Sequence, residues 1–340
     1  MDTMTSTSRT GGMAVRGISG TNLRVSSICY GVMRFNLSTR GEADFDLYQQ
    51  YRACGGNFFD TAHAYSVWLP QGTGASERAL GACLRRFGDR DQVVILTKGG
   101  LPGMAGIYPR PDDCMTPQVI ASDISESLER LEVETIDIYM LHRDDPRHPV
   151  GEIIQTLNAE IRRGRVRHLG ASNWSTARLA EANAFAAQRG LQGFVISSPQ
   201  WNLGRQNHLS VLPDGSFDQS VIPLSEADVQ WHAESRLPVM PWNPTAYGYF
   251  AGALNTNALS FENALSHGRR ERARALATTL GCSPTQIALA YLMNHPFPVF
   301  PVVGTLDRDH LADALGGTEL RLCDDQLSWL RDGPSSPCSQ

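Results

Sequence analysis

The sequence predicts an α/β fold, a closed (β/α)8 TIM barrel with long βα loops over its C-terminal mouth, and three observations lead there. Eight strand-sized apolar runs recur, at residues 25–30, 57–60, 93–98, 136–142, 166–171, 194–198, 237–242 and 299–303. Helical patterns separate them, at 44–54, 76–87, 117–131, 150–163, 175–188, 224–235, a long pair over 261–295, and 307–315. No glycine fingerprint of the G-x-G-x-x-G type follows the first run, which leads into Gly31-Val32-Met33-Arg34, and no linker divides the chain.

The strand runs are nearly continuous in apolar residues, which marks parallel strands covered on both faces. In 117–131, Ile120, Ile124, Ser127, Leu128 and Leu131 share one helical face, and in 150–163 Ile153, Ile154, Leu157 and Ile161 do the same. Ser76, after the flexible approach Gly72-Thr73-Gly74, is a candidate N-cap for 76–87. Arg269, Arg270, Arg272 and Arg274, with Glu271 among them, read as a solvated helix face. Eight strand units without an open-sheet fingerprint favour closure into one barrel over residues 14–333, flanked by disordered tails at 1–13 and 334–340. Segments 201–218 and 247–263 follow the sixth and seventh strands, are long and rich in Gly, Asn and aromatics, and are expected to form lids facing substrate.

Composition narrows the function classes. A formal net charge of -5 gives no electrostatic footprint for nucleic acid or an anionic membrane surface. The longest apolar stretches are strand-sized and residues 1–10 are polar, so a cytoplasmic protein is expected. Seven scattered cysteines, with no C-x-x-C pair, fit free thiols better than disulfides or zinc. Asp145 and His148 follow His142 closely, but without cysteine or a second clustered pair they read as a solvated loop, and no metal is expected.

Three strand runs end on chemically able residues: Asp60, Lys98 and His142, with Tyr65 just beyond the first. Each alone has an ordinary reading, as a turn start, a solvated strand end or a core histidine. On a barrel, strand C-terminal ends converge on one mouth, so the four become a set. A free tyrosine has a pKa of about 10, and a neighbouring ammonium is expected to lower it toward useful proton donation. Asp60 would then hold and balance Lys98, and His142 would orient the substrate oxygen or relay a proton.

The segments Asp60-Thr61-Ala62-His63-Ala64-Tyr65, Ile95-Leu96-Thr97-Lys98 and Ile136-Asp137-Ile138-Tyr139-Met140-Leu141-His142 closely resemble the aldo-keto reductase superfamily, from Gly20 to about Leu330. The resemblance implies a catalytic tetrad of Asp60, Tyr65, Lys98 and His142 that reduces carbonyls with NAD(P)H. It also implies that Ser172 and Asn173, in Gly170-Ala171-Ser172-Asn173, and Gln200, in Ser197-Ser198-Pro199-Gln200, hold the nicotinamide carboxamide, and that Trp242 stacks on the ring. Helix-cap or turn roles for Ser172 and Asn173, and a core role for Trp242, stand beside these readings.

The segment 301–311 resembles the family's phosphate-binding strand, loop and helix, with Gly304, Thr305, Arg308 and His310 toward the phosphate and Asp313 toward adenine. A helix N-terminus suits a phosphate. Here Gly304 replaces a frequent Lys, His310 a frequent Arg, and Asp307 adds a negative charge. NADP(H) is the expected cofactor, with NAD(H) the alternative, and Arg308, His310 and Asp313 also read as ordinary surface groups.

Trp68 and Trp201 are candidates for a substrate wall, or equally for core or lid packing. A small carbonyl or alcohol is the expected partner. Two rival functions remain at this stage: a cofactor-binding, redox-sensing or regulatory subunit on the same barrel, and a barrel enzyme using Lys98 as a Schiff-base amine.

Overall fold

The computed structural model describes residues 12–69, 72–104, 107–208 and 220–333. The expected tails, apart from residues 12 and 13, lie outside the described residues, as do positions 209–218 of the first expected lid.

Two short strands, β1 (Val15–Gly17) and β2 (Arg24–Ser26), form an antiparallel hairpin ahead of the barrel. Its Ile18, Leu23 and Val25 join Cys29, Phe58, Leu96, Ile138, Met140, Ile196, Met240 and Phe300 in one buried cluster, the interior of the barrel. The run read as one strand over 25–30 is therefore two. Ser26 donates its N–H to Asn57 and Ser27 donates to Ala14, so the chain leaves the hairpin before β3 (Cys29–Gly31) begins.

β3 is followed by β4 (Phe58–Asp60), β5 (Val94–Gly99), β6 (Ile136–Leu141), β7 (Val166–Ser172), β8 (Phe194–Ser198) and β9 (Val302–Val303). These seven lie in the order β8-β7-β6-β5-β4-β3-β9, all parallel. Residues 238–242 fill the remaining gap without forming a strand, because Pro238 and Pro241 have no N–H to give. Met240 donates to Ser197 and Val239 to Pro298, while Phe300 donates back to Val239, so single-residue bridges close the barrel on both sides.

The helices begin with a one-turn α1 (Leu37–Arg40) and α2 (Glu42–Ala53), then α3 (Ala75–Phe87), α4 (Pro117–Leu131), α5 (Val150–Arg162), α6 (Thr176–Gln188) and α7 (Glu226–Ser235). After them come α8 (Thr256–Leu259), α9 (Ala264–Leu280), α10 (Pro284–Met293), α11 (Arg308–Gly316) and α12 (Asp324–Asp332). Their ends follow local chemistry. Thr116 caps α4 with proline at the first helical position, Ser225 and Ser283 form capping boxes with Asp228 and Gln286, and Gly88 and Gly281 end α3 and α9 in left-handed geometry. Gly74, not Ser76, precedes α3, and Ser76 instead donates its hydroxyl to the Val32 carbonyl.

One large core lies between the sheet and α2–α6, and a second gathers around α9 and α10. Tyr249, Phe250 and Phe261 are buried in that second core, so most of the aromatics that made 247–263 look like a lid are packing residues. Among the described residues no helix is long and apolar enough to cross a membrane.

Candidate active site

Adjacent parallel strands bring the strand-end residues together, with Asp60 opposite Leu96 and Lys98 opposite Met140. The ladder continues past the strands, since Thr61 donates to the Leu96 carbonyl, His63 to that of Lys98 and His142 to that of Gly99. Lys98 Nζ donates to Asp60 Oδ1 at 2.5 Å, to the Tyr65 oxygen at 2.8 Å and to the Thr61 carbonyl at 3.0 Å. The Tyr65 hydroxyl reaches Asp60 Oδ2 at 3.5 Å, and its ring meets that of His142 edge-on, 5.6 Å between centroids. Asp60 and Lys98 are buried, with Tyr65 and His142 partly open. The four sequence-predicted residues thus form one contiguous cluster.

Burial disfavours the Lys98 ammonium, but the Asp60 carboxylate and the Tyr65 oxygen outweigh it and raise its pKa above 10.5. Tyr65 departs from expectation. Burial raises its pKa above 10, Asp60 raises it further, and the opposing pull of Lys98 and Arg143 does not reverse this. His142 is pushed well below 6.5 by burial, then by Arg143 and Lys98, so it is a neutral imidazole near neutrality. That favours orienting an oxygen over relaying a proton.

The side chains expected around a nicotinamide sit at the next strand ends. Ser172 donates to the Ser198 carbonyl at 2.9 Å. Asn173, at φ 57°, is engaged at both ends: its amide nitrogen donates to Ser172 Oγ and the His142 carbonyl, and its oxygen accepts from Trp242 Nε1 at 3.3 Å and the Ile222 amide at 3.4 Å. Gln200 differs. Its nitrogen donates to Gln206 Oε1 at 2.8 Å, while its own oxygen is buried without a partner among the described residues. A buried acceptor left open at this place fits the N–H of a carboxamide, and Trp242, half-buried beside it, offers a ring face. A cavity of about 880 Å³ opens beside Gln200, and none of the tetrad lines it.

Farther round, Gly304 and Thr305 follow β9, and Thr305 accepts at its carbonyl from the Tyr30 hydroxyl. Asp307 caps α11, its carboxylate accepting from the Asp309 and His310 amides at 2.9 Å each. The helix N–H groups expected to face a phosphate are therefore taken by the chain's own carboxylate. Arg308 is exposed and lies against Gln50, His310 is exposed, and Asp313 accepts from the Ser283 hydroxyl at 2.9 Å.

Trp68, 51% exposed, stands in the loop beyond Tyr65. Trp201 is buried against Phe297, Tyr291 and His295 and also lines the cavity beside Gln200, so its packing and wall readings both stand. Asp113, Asp145 and His148 bring ligand-type atoms within 4.8 Å of one another, but Arg147 grips both Asp145 oxygens and His148 pairs with Asp113, so the trio reads as an ion-pair cluster. Sequence reasoning missed Arg143, whose guanidinium donates to the His142 carbonyl and to Ser220 and whose carbonyl accepts from Trp174. Its position directly after the strand-end histidine was the available signal.

Comparison with known proteins agrees with this geometry. The chain is 27% identical over 321 residues to the uncharacterized oxidoreductase YrpG of Bacillus subtilis, covering 92% of this chain and 93% of that one. It is 28% identical over 348 residues to an aryl-alcohol dehydrogenase [NADP(+)] of Phanerodontia chrysosporium (92% and 83%), and 27% identical over 311 residues to a 6-dehydroglucose reductase of Novosphingobium aromaticivorans (91% of each). The model of the aldo/keto reductase family matches residues 27–332, across the barrel and including Asp60, Tyr65, Lys98 and His142, and the chain belongs to that family.

Proposed function

We propose that this protein reduces an aldehyde, ketone or sugar carbonyl to the alcohol, or runs the reverse, with a nicotinamide cofactor. The observation that carries the reading is the hydrogen-bonded chain Asp60–Lys98–Tyr65, with neutral His142 edge-on to the phenol. When bound, the cofactor supplies the hydride. Tyr65 gives its hydroxyl proton to the substrate oxygen, and Lys98 steadies the phenolate left behind. Asp60 balances Lys98, and His142 orients the oxygen without exchanging a proton. Gln200, Ser172 and Asn173 hold the carboxamide side, and Trp242 covers the ring.

The cofactor is NADP(H), gripped at its phosphate by Arg308 and Thr305 with Gly304 and His310 around it, and with Asp313 toward the adenine. NAD(H) is the second reading, and the Asp307 carboxylate on the α11 amides favours it. Its partner is a small carbonyl or alcohol, encountered in the cytoplasm.

Oxidation of NADPH against a panel of aldehydes, sugars and ketones tests this. Tyr65→Phe should lower kcat by about 10²- to 10⁴-fold. Tight cofactor binding with no Tyr65-dependent turnover on the panel would instead support a redox-sensing subunit.

A further inference from the structure

We propose that His63, latched by Tyr108 and Arg110, is a positioning residue that fixes Tyr65 over Lys98; this rests on the functional reading above. His63 lies midway along the five-residue step from Asp60 to Tyr65 and is 1% exposed. Its backbone is held on both sides, with the N–H donating to the Lys98 carbonyl at 2.8 Å and the carbonyl accepting from Arg130 at 3.3 Å. Its ring makes contacts at both nitrogens. Nδ1 lies 2.6 Å from the Tyr108 hydroxyl, and Nε2 lies 2.7 Å from an Arg110 nitrogen and 3.0 Å from Glu126.

The chemistry of the partners holds the ring from both sides. Nε2 faces both the Arg110 guanidinium, a donor, and the Glu126 carboxylate, an acceptor, and the Tyr108 hydroxyl can give or accept at Nδ1, so a neutral ring is engaged at both nitrogens. Burial, then Arg130 and Arg110, lowers the His63 pKa to about 3, which keeps the ring in this neutral form. Arg110 is itself fixed, ion-paired to Asp123 at 3.0 Å and donating to Glu126 at 2.5 Å. Both acids stand on α4, and Asp123 also accepts from the Gly100 amide beside Lys98.

Tyr108 completes the latch. Its segment pairs back on Met104, and its ring packs with Ala64 and Val67, the residues on either side of the Tyr65–Ser66 turn. The β5–α4 connection is thus bolted to the loop that carries the phenol, through the His63 ring and through the packing of Tyr108 on Ala64 and Val67. A displacement of about 1 Å in a reacting group can cost about 10²-fold in rate, and nothing else described ties the 61–65 loop to α4 through a side chain of its own.

Three variants test the assignment: Tyr108→Phe removes one hydroxyl, His63→Leu removes both ring contacts, and His63→Gln keeps a donor and an acceptor. The latch predicts a kcat loss of about tenfold for Tyr108→Phe and about 10²-fold for His63→Leu, with KM and cofactor Kd within about twofold. His63→Gln should recover most of the loss, and amide exchange over 61–66 should speed up at least about tenfold in His63→Leu while the rest of the barrel stays protected. Unchanged kcat in Tyr108→Phe and His63→Leu overturns the proposal. So do losses that merely track Tm, are not recovered by His63→Gln and leave exchange over 61–66 no faster than elsewhere. If the wild type turns over nothing on the panel, the functional reading fails, and the exchange measurement still decides whether the latch holds the Tyr65 loop.

Discussion

The Lys98 ammonium lies 2.8 Å from the Tyr65 oxygen, and Tyr65 is nevertheless held as a phenol. Burial dominates, Asp60 repels a second negative charge, and Lys98 only offsets part of the two. In the proposed reaction the ammonium receives charge when the proton leaves and does not ionise the tyrosine beforehand.

This has a signed consequence for pH. Carbonyl reduction needs Tyr65 protonated, so its kcat should stay level from about pH 6 to 9 and decline only above the ordinary tyrosine pKa of about 10. Alcohol oxidation needs the phenolate and should rise over the same range. Steady-state profiles in both directions check this. A reduction rate falling with a midpoint near pH 7 would mean that Lys98 outweighs burial.

Lys98→Met should be costly to the fold as well as to turnover. It leaves the Asp60 carboxylate buried without its partner, and breaking a buried pair from one side costs about 3–5 kcal/mol. An unpaired buried acid titrates higher in the folded than in the unfolded chain, so the lost stability should return in part as pH falls and Asp60 takes up a proton. Denaturant unfolding at pH 7 and pH 5 measures both effects; equal losses at the two values would show that Asp60 takes up no extra proton when Lys98 is removed.

The tetrad was legible because strand-end residues converge on a barrel whatever their separation in sequence. Period and apolar runs also gave six of the barrel strands and the larger helices to within a few residues. What sequence did not reveal was set by tertiary partners. Residues 238–242 look like a strand by hydrophobicity, yet two prolines reduce them to bridges. The run 25–30 is split by the side-chain bonds of Ser26 and Asn57. Tyr249 and Phe250 resemble mouth aromatics and are core, and α12 buries only Leu327 and Leu330, too thin a stripe to announce a helix. The raised pKa of Tyr65 was out of reach, since a neighbouring charge can be inferred from strand order but the depth of burial cannot.

Gln200 offers a test of cofactor binding that leaves the tetrad intact. Its oxygen is buried and unpaired among the described residues, an arrangement that costs free energy until a donor arrives. Gln200→Leu should weaken cofactor binding by about tenfold, while the cofactor-free protein loses little stability or gains some. Fluorescence titration and thermal unfolding read the two quantities. Undiminished affinity would remove Gln200 from the cofactor site, and a large loss of stability would make its contact with Gln206 structural.

On the proposed reading, Asp307 sets the balance between the two cofactors. Its carboxylate accepts two α11 amides and puts negative charge where a ribose phosphate would approach Arg308 and Thr305. Serine keeps the capping acceptor and removes the charge. Asp307→Ser should therefore tighten NADPH binding by about tenfold, about 1.4 kcal/mol, with NADH affinity within about twofold and Tm little changed. Parallel titrations at low and moderate salt check this, because a charge effect at an exposed site shrinks with ionic strength. If NADPH affinity does not respond, the phosphate lies away from α11, and the assignments of Thr305 and Arg308 fall with it.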